Sequence, residues 1–197
     1  MAPSATTDLP PSSALNETLQ STKQTLTSSP HPAHLHDLAT QVAHDLQYQH
    51  DWRSISIHTH SPLTNNPLPR PIISGLPPKR AYTHPDEQVE ILKAEHKTGE
   101  RIEQLPEREW VLPTQLQEKM SVGKFAAVFD AVGTVPPGGE EGGDEGGVEG
   151  NGREEKTVGW QWQGRNRQKR ILLATLHDDS TVVYYIMHDG IVKPRQN

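Results

Sequence analysis

Two runs near the C-terminal end constrain this chain more than anything else in it. Residues 170–176 (RILLATL) form an uninterrupted apolar stretch, and residues 181–187 (TVVYYIM) are rich in β-branched and aromatic side chains. Both favour extended backbone because branched and aromatic groups pack well on a pleated surface. Only HDDS, residues 177–180, separates them, and Asp and Ser favour tight turns because their side chains bond to nearby backbone N–H groups. A hairpin is expected, with 170–176 as a central strand. The second strand is apolar on both faces, so at a sheet edge it would leave uncovered side chains beside unpaired backbone groups.

A hairpin needs further layers to cover it, and the remaining sequence supplies them. Residues 34–49 place Leu35, Leu38, Ala39, Val42 and Leu46 on one side of a helix. Residues 52–58 (WRSISIH) alternate, with Ile55 and Ile57 on one side and Ser54, Ser56 and His58 on the other, as in a half-buried strand. In 67–78 (PLPRPIISGLPP) the prolines predict at most a brief edge strand or an extended connection. Residues 84–96 read as a surface helix or an irregular insertion leading to EWVLP at 109–113. Helical spacing resumes over 114–132, with 122–132 the better helix because Gly123 and Ser121 mark a break. The expectation is a small α/β domain: a mixed or antiparallel sheet packed with helices.

Composition bounds the domain. Apolar residues make up 32% of the 197, and there are 15 glycines and 17 prolines. That is lean for a globular chain, so part of it is expected to remain unfolded. Residues 1–32, rich in Ser, Thr and Pro, are expected to be an unstructured tail. Residues 33–197 are expected to be the domain, with a flexible acidic, glycine-rich insertion at 134–157. Without Cys, disulfides, thiolate metal sites and cysteine nucleophiles are excluded. No apolar window is long enough to span a membrane and no secretory or transit signal is recognisable, so a soluble intracellular protein without membrane insertion is expected.

The formal net charge of −6 is unevenly placed. Much of the acid lies in 138–155, while Arg165, Arg167, Lys169 and Arg170 form a basic cluster just before the first strand of the hairpin. Four cations in six positions suit an RNA backbone or a solvated lead-in equally well. No aromatic-rich stacking motif is expected beside them. The paired histidines His34 and His36, and His58 and His60, lack an acidic ligand at a matching offset and read as surface histidines rather than metal ligands. The glycine-rich stretch lacks the Gly-Lys-Ser/Thr ending of a phosphate loop, and its carboxylates would repel phosphate. Proline-rich 67–78 could dock in an SH3-like groove, but Ile72, Ile73 and Leu76 suit a core. No cofactor is expected.

The segments RPIISGLPPKR, EWVLP, KFAAVFDAV and above all KRILLATLHDDSTVVYYIMHDGIVKPRQN resemble the small accessory subunit of eukaryotic tRNA-splicing endonuclease, the Sen-fifteen type, in a fungal form. The resemblance implies a structural subunit in a heterotetramer of two catalytic and two structural subunits that excises introns from precursor tRNA. It implies that Thr181, Val182, Val183, Tyr184, Tyr185, Ile186 and Met187 form the strand shared with a neighbour. Asp178 and Asp179 would be the charged tip of a loop entering a basic groove on a catalytic subunit. Precursor tRNA would be met through the complex, and the same edge would let the isolated chain pair with a second copy. The nucleus is the implied location, with the cytoplasmic face of mitochondria as the alternative. Catalytic members use a tyrosine, a histidine and a lysine. Lys169 falls about where the lysine belongs, but 113–132 holds neither Tyr nor His, so the structural role carries over and the activity does not. The alternative is a stand-alone RNA-binding module using Arg165–Arg170.

Overall fold

The computed structural model describes residues 12–25, 29–139 and 157–190. Five strands form one sheet in the order β1 (Arg53–His60), β2 (Pro67–Leu76), β3 (Glu109–Gln115), β4 (Arg170–Leu176) and β5 (Val182–His188). Every neighbouring pair is antiparallel except β3 and β4, which run parallel from Val111 opposite Leu172 to Gln115 opposite Leu176. A parallel pair needs a crossover, and this one carries helix α4 (Val122–Ala131). The sheet is therefore mixed, one of the two expected arrangements, and it is open.

Helix α2 (Ala33–Tyr48) covers one face with Ala39, Val42 and Leu46, which meet Trp52, Ile73, Val111, Leu172 and Ala174. Helix α4 covers the other with Val128 and Phe129 over Leu68, Ile72, Trp110, Leu112 and Ile171. The adjacent residues Ile72 and Ile73 thus enter different cores, as the pleat requires. Ser121 caps α4 by accepting a hydrogen bond from the N–H of Lys124 at 3.3 Å, which explains why the helix starts after the break rather than at 114. Residues 114 and 115 instead finish β3.

Two expectations are corrected. β2 is ten residues long and lies between β1 and β3 rather than at an edge. Its prolines are tolerated because β3 pairs only with Ile73, Ser74 and Gly75. Pro67, Pro69 and Pro71 lie before that stretch, where the register with β1 jumps from His58–Ile72 to His60–Pro67. The second correction lies within the expected tail. Residues Ala14–Thr25 form helix α1, which packs on α2. Leu15 and Leu19 stand one turn apart and are half-buried, and Ser13 accepts the N–H of Asn16 at 3.2 Å at the start.

Residues 84–96 resolve into helix α3 (Pro85–Thr98), opened by a capping box in which His84 accepts the N–H of Asp86 and Glu87 accepts the N–H of His84. Most of the acidic insertion expected at 134–157 lies outside the described residues, as do residues 1–11 of the tail. No helix among the described residues is long and apolar enough to cross a membrane.

Candidate functional site

β4 and β5 pair in full register, from Arg170 opposite His188 to Leu176 opposite Val182. The turn between them closes with His177 N–H donating to Thr181 O at 2.8 Å and Ser180 N–H to His177 O at 3.0 Å. Ser180 takes φ 68°, and the Asp179 carboxylate accepts the N–H of Thr181 at 3.0 Å. β5 pairs with no strand on its outer side among the described residues, so alternate N–H and C=O groups point outward along it. Tyr185 is 55% exposed and Ile186 37%.

The seven residues assigned to a shared strand divide by what they touch. Val182 and Tyr184 pack on the α2 core, and the Tyr184 hydroxyl donates to the Asp45 carboxylate of α2 at 2.6 Å. Burial, then the Asp45 contact, push the Tyr184 phenol well above its ordinary value, so it stays protonated as a donor. Met187 packs on the α4 core. Those three side chains are committed to the fold. Thr181, Tyr185 and Ile186 are exposed and Val183 is half-buried, so these and the outer backbone form the available surface.

The tip also divides. Gln117, from the turn after β3, donates to Asp178 at 3.1 and 3.4 Å from its oxygens, which orients the carboxylate. Asp179 serves the turn itself: the Thr181 N–H holds its carboxyl below the usual value. A polar cleft of about 250 Å³ beside the tip is lined by Gln41, Gln115, Gln117, His177, Asp178 and Ser180.

The basic cluster does not present four cations to solvent. Arg167 and Arg170 are buried. Arg170 Nε donates to both oxygens of Glu109 at 3.2 Å, while its Nη2 reaches Glu107 at 2.9 Å and also Glu109. Arg167 Nη1 donates to Glu107 at 3.0 Å and to Glu109 at 3.1 Å, and its Nη2 to the carbonyls of Arg108 and Thr134. Arg80 and Gln163 grip the buried carboxylate of Glu87 at 2.8 and 2.9 Å. Burial alone would raise the Glu107 carboxyl; Arg167, the Gly164 N–H, Arg80 and Arg170 outweigh it and hold Glu107 below the usual range. Buried charges persist only when paired and hydrogen-bonded, and these are. The expectation of an RNA contact through Arg167 and Arg170 is therefore corrected to an internal brace. Arg165 is exposed and Lys169 half-buried. Glu107 and Glu109, two apart at the mouth of β3, set both carboxylates on one side of extended chain, but nothing in that spacing shows which cations they meet.

A second omission lies just upstream. Trp160 and Trp162 enter neither core, although WQW stands immediately before the basic cluster. Trp162 stacks on His84 with centroids 5.6 Å apart and planes at 9°. Beyond it Tyr82 meets the edge of His188 at 4.8 Å, with the Arg170 guanidinium 5.4 Å over the Tyr82 ring. Of the paired histidines, His36 is buried and bonds Ser29 at 2.6 Å, and His58 bonds Ser74 at 2.8 Å. Neither pair forms a ligand set, and no group of three or more His, Cys, Asp or Glu able to hold a metal occurs among the described residues.

Comparison with known proteins places this geometry in context. A family described as "Sen15 protein" matches residues 41–141 and 156–197, which take in all five strands. A Neurospora crassa protein described as probable tRNA-splicing endonuclease subunit tsp-1 is 53% identical over 165 residues, covering 83% of this chain and 67% of that protein.

Proposed function

The chain belongs to the Sen15 family and is an accessory subunit of tRNA-splicing endonuclease, and from that premise we propose that it acts without catalysis of its own, by lending the outer edge of β5 to a neighbouring subunit. The observation that carries this reading is the outer side of β5, which no strand among the described residues pairs, with Tyr185 and Ile186 exposed on its two faces. Edge strands that must not pair are commonly blunted by charge, proline or a bulge. Val182–His188 has no Lys, Pro or register shift against β4. A strand from a catalytic or structural subunit added there would satisfy the backbone and bury Ile186 and Tyr185. Asp178, held by Gln117, would meet a cation on the partner, a contact that favours specificity and orientation more than raw affinity. The tRNA precursor is met through the assembled complex.

The arrangement around Lys169 supports a non-catalytic role. Tyr82 and His188 lie near the same end of β4, but they pack against each other with ring centroids 4.8 Å apart, and neither ring bonds Lys169 among the described residues. General acid–base chemistry at the 2′-hydroxyl and leaving oxygen needs the three groups to converge.

Two measurements test this. The purified chain is expected to leave precursor tRNA intact under conditions where the co-expressed complex cleaves it, and cleavage by the chain alone would sink the non-catalytic reading. Tyr185→Lys with Ile186→Lys is expected to abolish co-purification of the other subunits without unfolding the chain. Unchanged co-purification would remove β5 as the interface.

A further inference from the structure

We infer that the segment from Trp160 to Lys169, together with His84, is a contact surface for single-stranded RNA, separate from the β5 edge and reading by stacking rather than by a row of arginines. The choice of RNA rests on membership of the tRNA-splicing endonuclease family. The site itself rests on how two tryptophans are placed.

Of four tryptophans, Trp52 and Trp110 lie in the two cores, whereas Trp160 and Trp162 lie in neither. Trp160 is 36% exposed in a short helical turn. The exposed part of an indole is apolar area that a base can cover, because every base presents a π face. WQWQGRNRQKR contains no acid, and of its four cations Arg165 and Lys169 are not part of the Glu107–Glu109 brace. Arg165 is exposed and Lys169 half-buried on the same segment. Lys169 O accepts the N–H of Asp189 at 2.9 Å, which fixes the backbone at that end of the segment.

The platform is also preorganised. Gln163 is bonded to Glu87, Gly164 N–H donates to Glu107 at 2.7 Å, and Arg167 is buried on Glu107 and Glu109, so three successive anchors fix the segment carrying the indoles. Gly159 holds φ 79° over the Glu87 side chain, where a Cβ would come within 2.8 Å of Cγ. The buried arginines thus hold the surface rather than form it. A surface fixed before binding pays less ordering entropy when a strand of RNA settles on it. It lies at the Arg170–His188 end of the hairpin, whereas the acidic tip at Asp178 is at the Leu176–Val182 end, so RNA and the tip's partner would not compete.

The test uses the full chain and a fluorescein-labelled single-stranded RNA of about 12 nucleotides, within the site size of single-strand binders. Anisotropy titrations are run at low and moderate salt, with the matched duplex as a second probe. The expectation is binding between about 1 and 100 μM, tighter for the single strand than for the duplex, with quenching of tryptophan fluorescence. Trp160→Ala with Trp162→Ala should weaken it roughly tenfold or more, the size of losing base stacking. Arg165→Glu with Lys169→Glu spares the stacked rings; it should weaken binding and flatten the logarithmic salt dependence by about 1.4. The charge variant keeps the test valid if the tryptophan variant folds poorly. Tyr185→Ser with Ile186→Ser, which adds no charge, should leave RNA binding unchanged, which separates this site from the β5 interface. Absence of binding, binding as tight as wild type in either variant pair, or loss of subunit co-purification without loss of RNA binding in the tryptophan variant would each overturn the inference.

Discussion

Replacing Arg170 by Met should cost this protein a large part of its stability, and should do so through the carboxylates left behind. Arg170's side chain is 5% exposed and that of Glu109 1%. The substitution conserves much of the volume but deletes four hydrogen bonds to Glu107 and Glu109. Removing one partner of a buried pair typically costs about 3–5 kcal/mol, because the other charge stays buried and uncompensated. Arg167 remains 3.0–3.1 Å from both carboxylates, so the lower end, about 3 kcal/mol, is expected. For a domain of this size that corresponds to a fall in Tm of roughly 6–12 °C. Urea unfolding at neutral pH measures the loss directly, and calorimetry gives the Tm. Glu107's carboxyl is lowered in the folded state, so its stabilisation is present above the unfolded value and lost as pH falls through the folded one. The gap between wild type and variant should therefore narrow as the medium is acidified below about pH 4. Arg170→Met with Glu109→Leu should recover part of the loss, since an apolar pair replaces a lone buried charge. A cost below about 1 kcal/mol, or a double variant no better than the single one, would refute this account of the brace.

Three further outcomes are expected elsewhere in the fold. Tyr184→Phe leaves Asp45 without its 2.6 Å donor and is expected to cost about 1–3 kcal/mol, with faster amide hydrogen exchange concentrated in β5; exchange rising uniformly over the sheet would contradict the anchoring role. Gly159→Ala forces a positive φ on a residue with a Cβ and a 2.8 Å approach to Glu87, so it should lower stability by about 1–3 kcal/mol and change the near-ultraviolet circular dichroism of the tryptophans. His58 is lowered from its ordinary value, by burial first and by Arg108 second. The unfolded chain then binds protons that the folded one refuses, so stability is present above the unfolded value and declines as pH falls below it. Melting curves from pH 7.5 to 5.5 should show this decline, with a shallower slope in His58→Gln.

The hairpin was legible because its signals are local. β-branched and aromatic runs, a four-residue polar turn and the limits of β4 can all be read within twenty residues, and β4 matches the expected 170–176. Helix α2 was legible for the same reason: its apolar side chains recur at helical spacing and face one layer. The central place of β2 was not, because a proline's cost in a sheet depends on whether a neighbour offers an acceptor at that position. Here β3 pairs with only three residues of β2. Helix α1 was missed because two leucines are too little to fold alone; they are covered only once α2 is present.

The amino-acid order by itself determined the alternating and helical patterns, hence a mixed α/β sheet ending in a hairpin with a sticky outer strand, and the family likeness carried by that hairpin. Only the tertiary structure decided which charges are buried and which rings stay outside the cores. Arg167 and Arg170 meet Glu107 and Glu109 across roughly sixty residues of chain, a distance over which sequence spacing carries no information about pairing. Once that pairing forms, the cost of burying charge is offset inside the protein. The cluster that suits an RNA backbone and a solvated lead-in equally by sequence becomes, at Arg167 and Arg170, an internal brace.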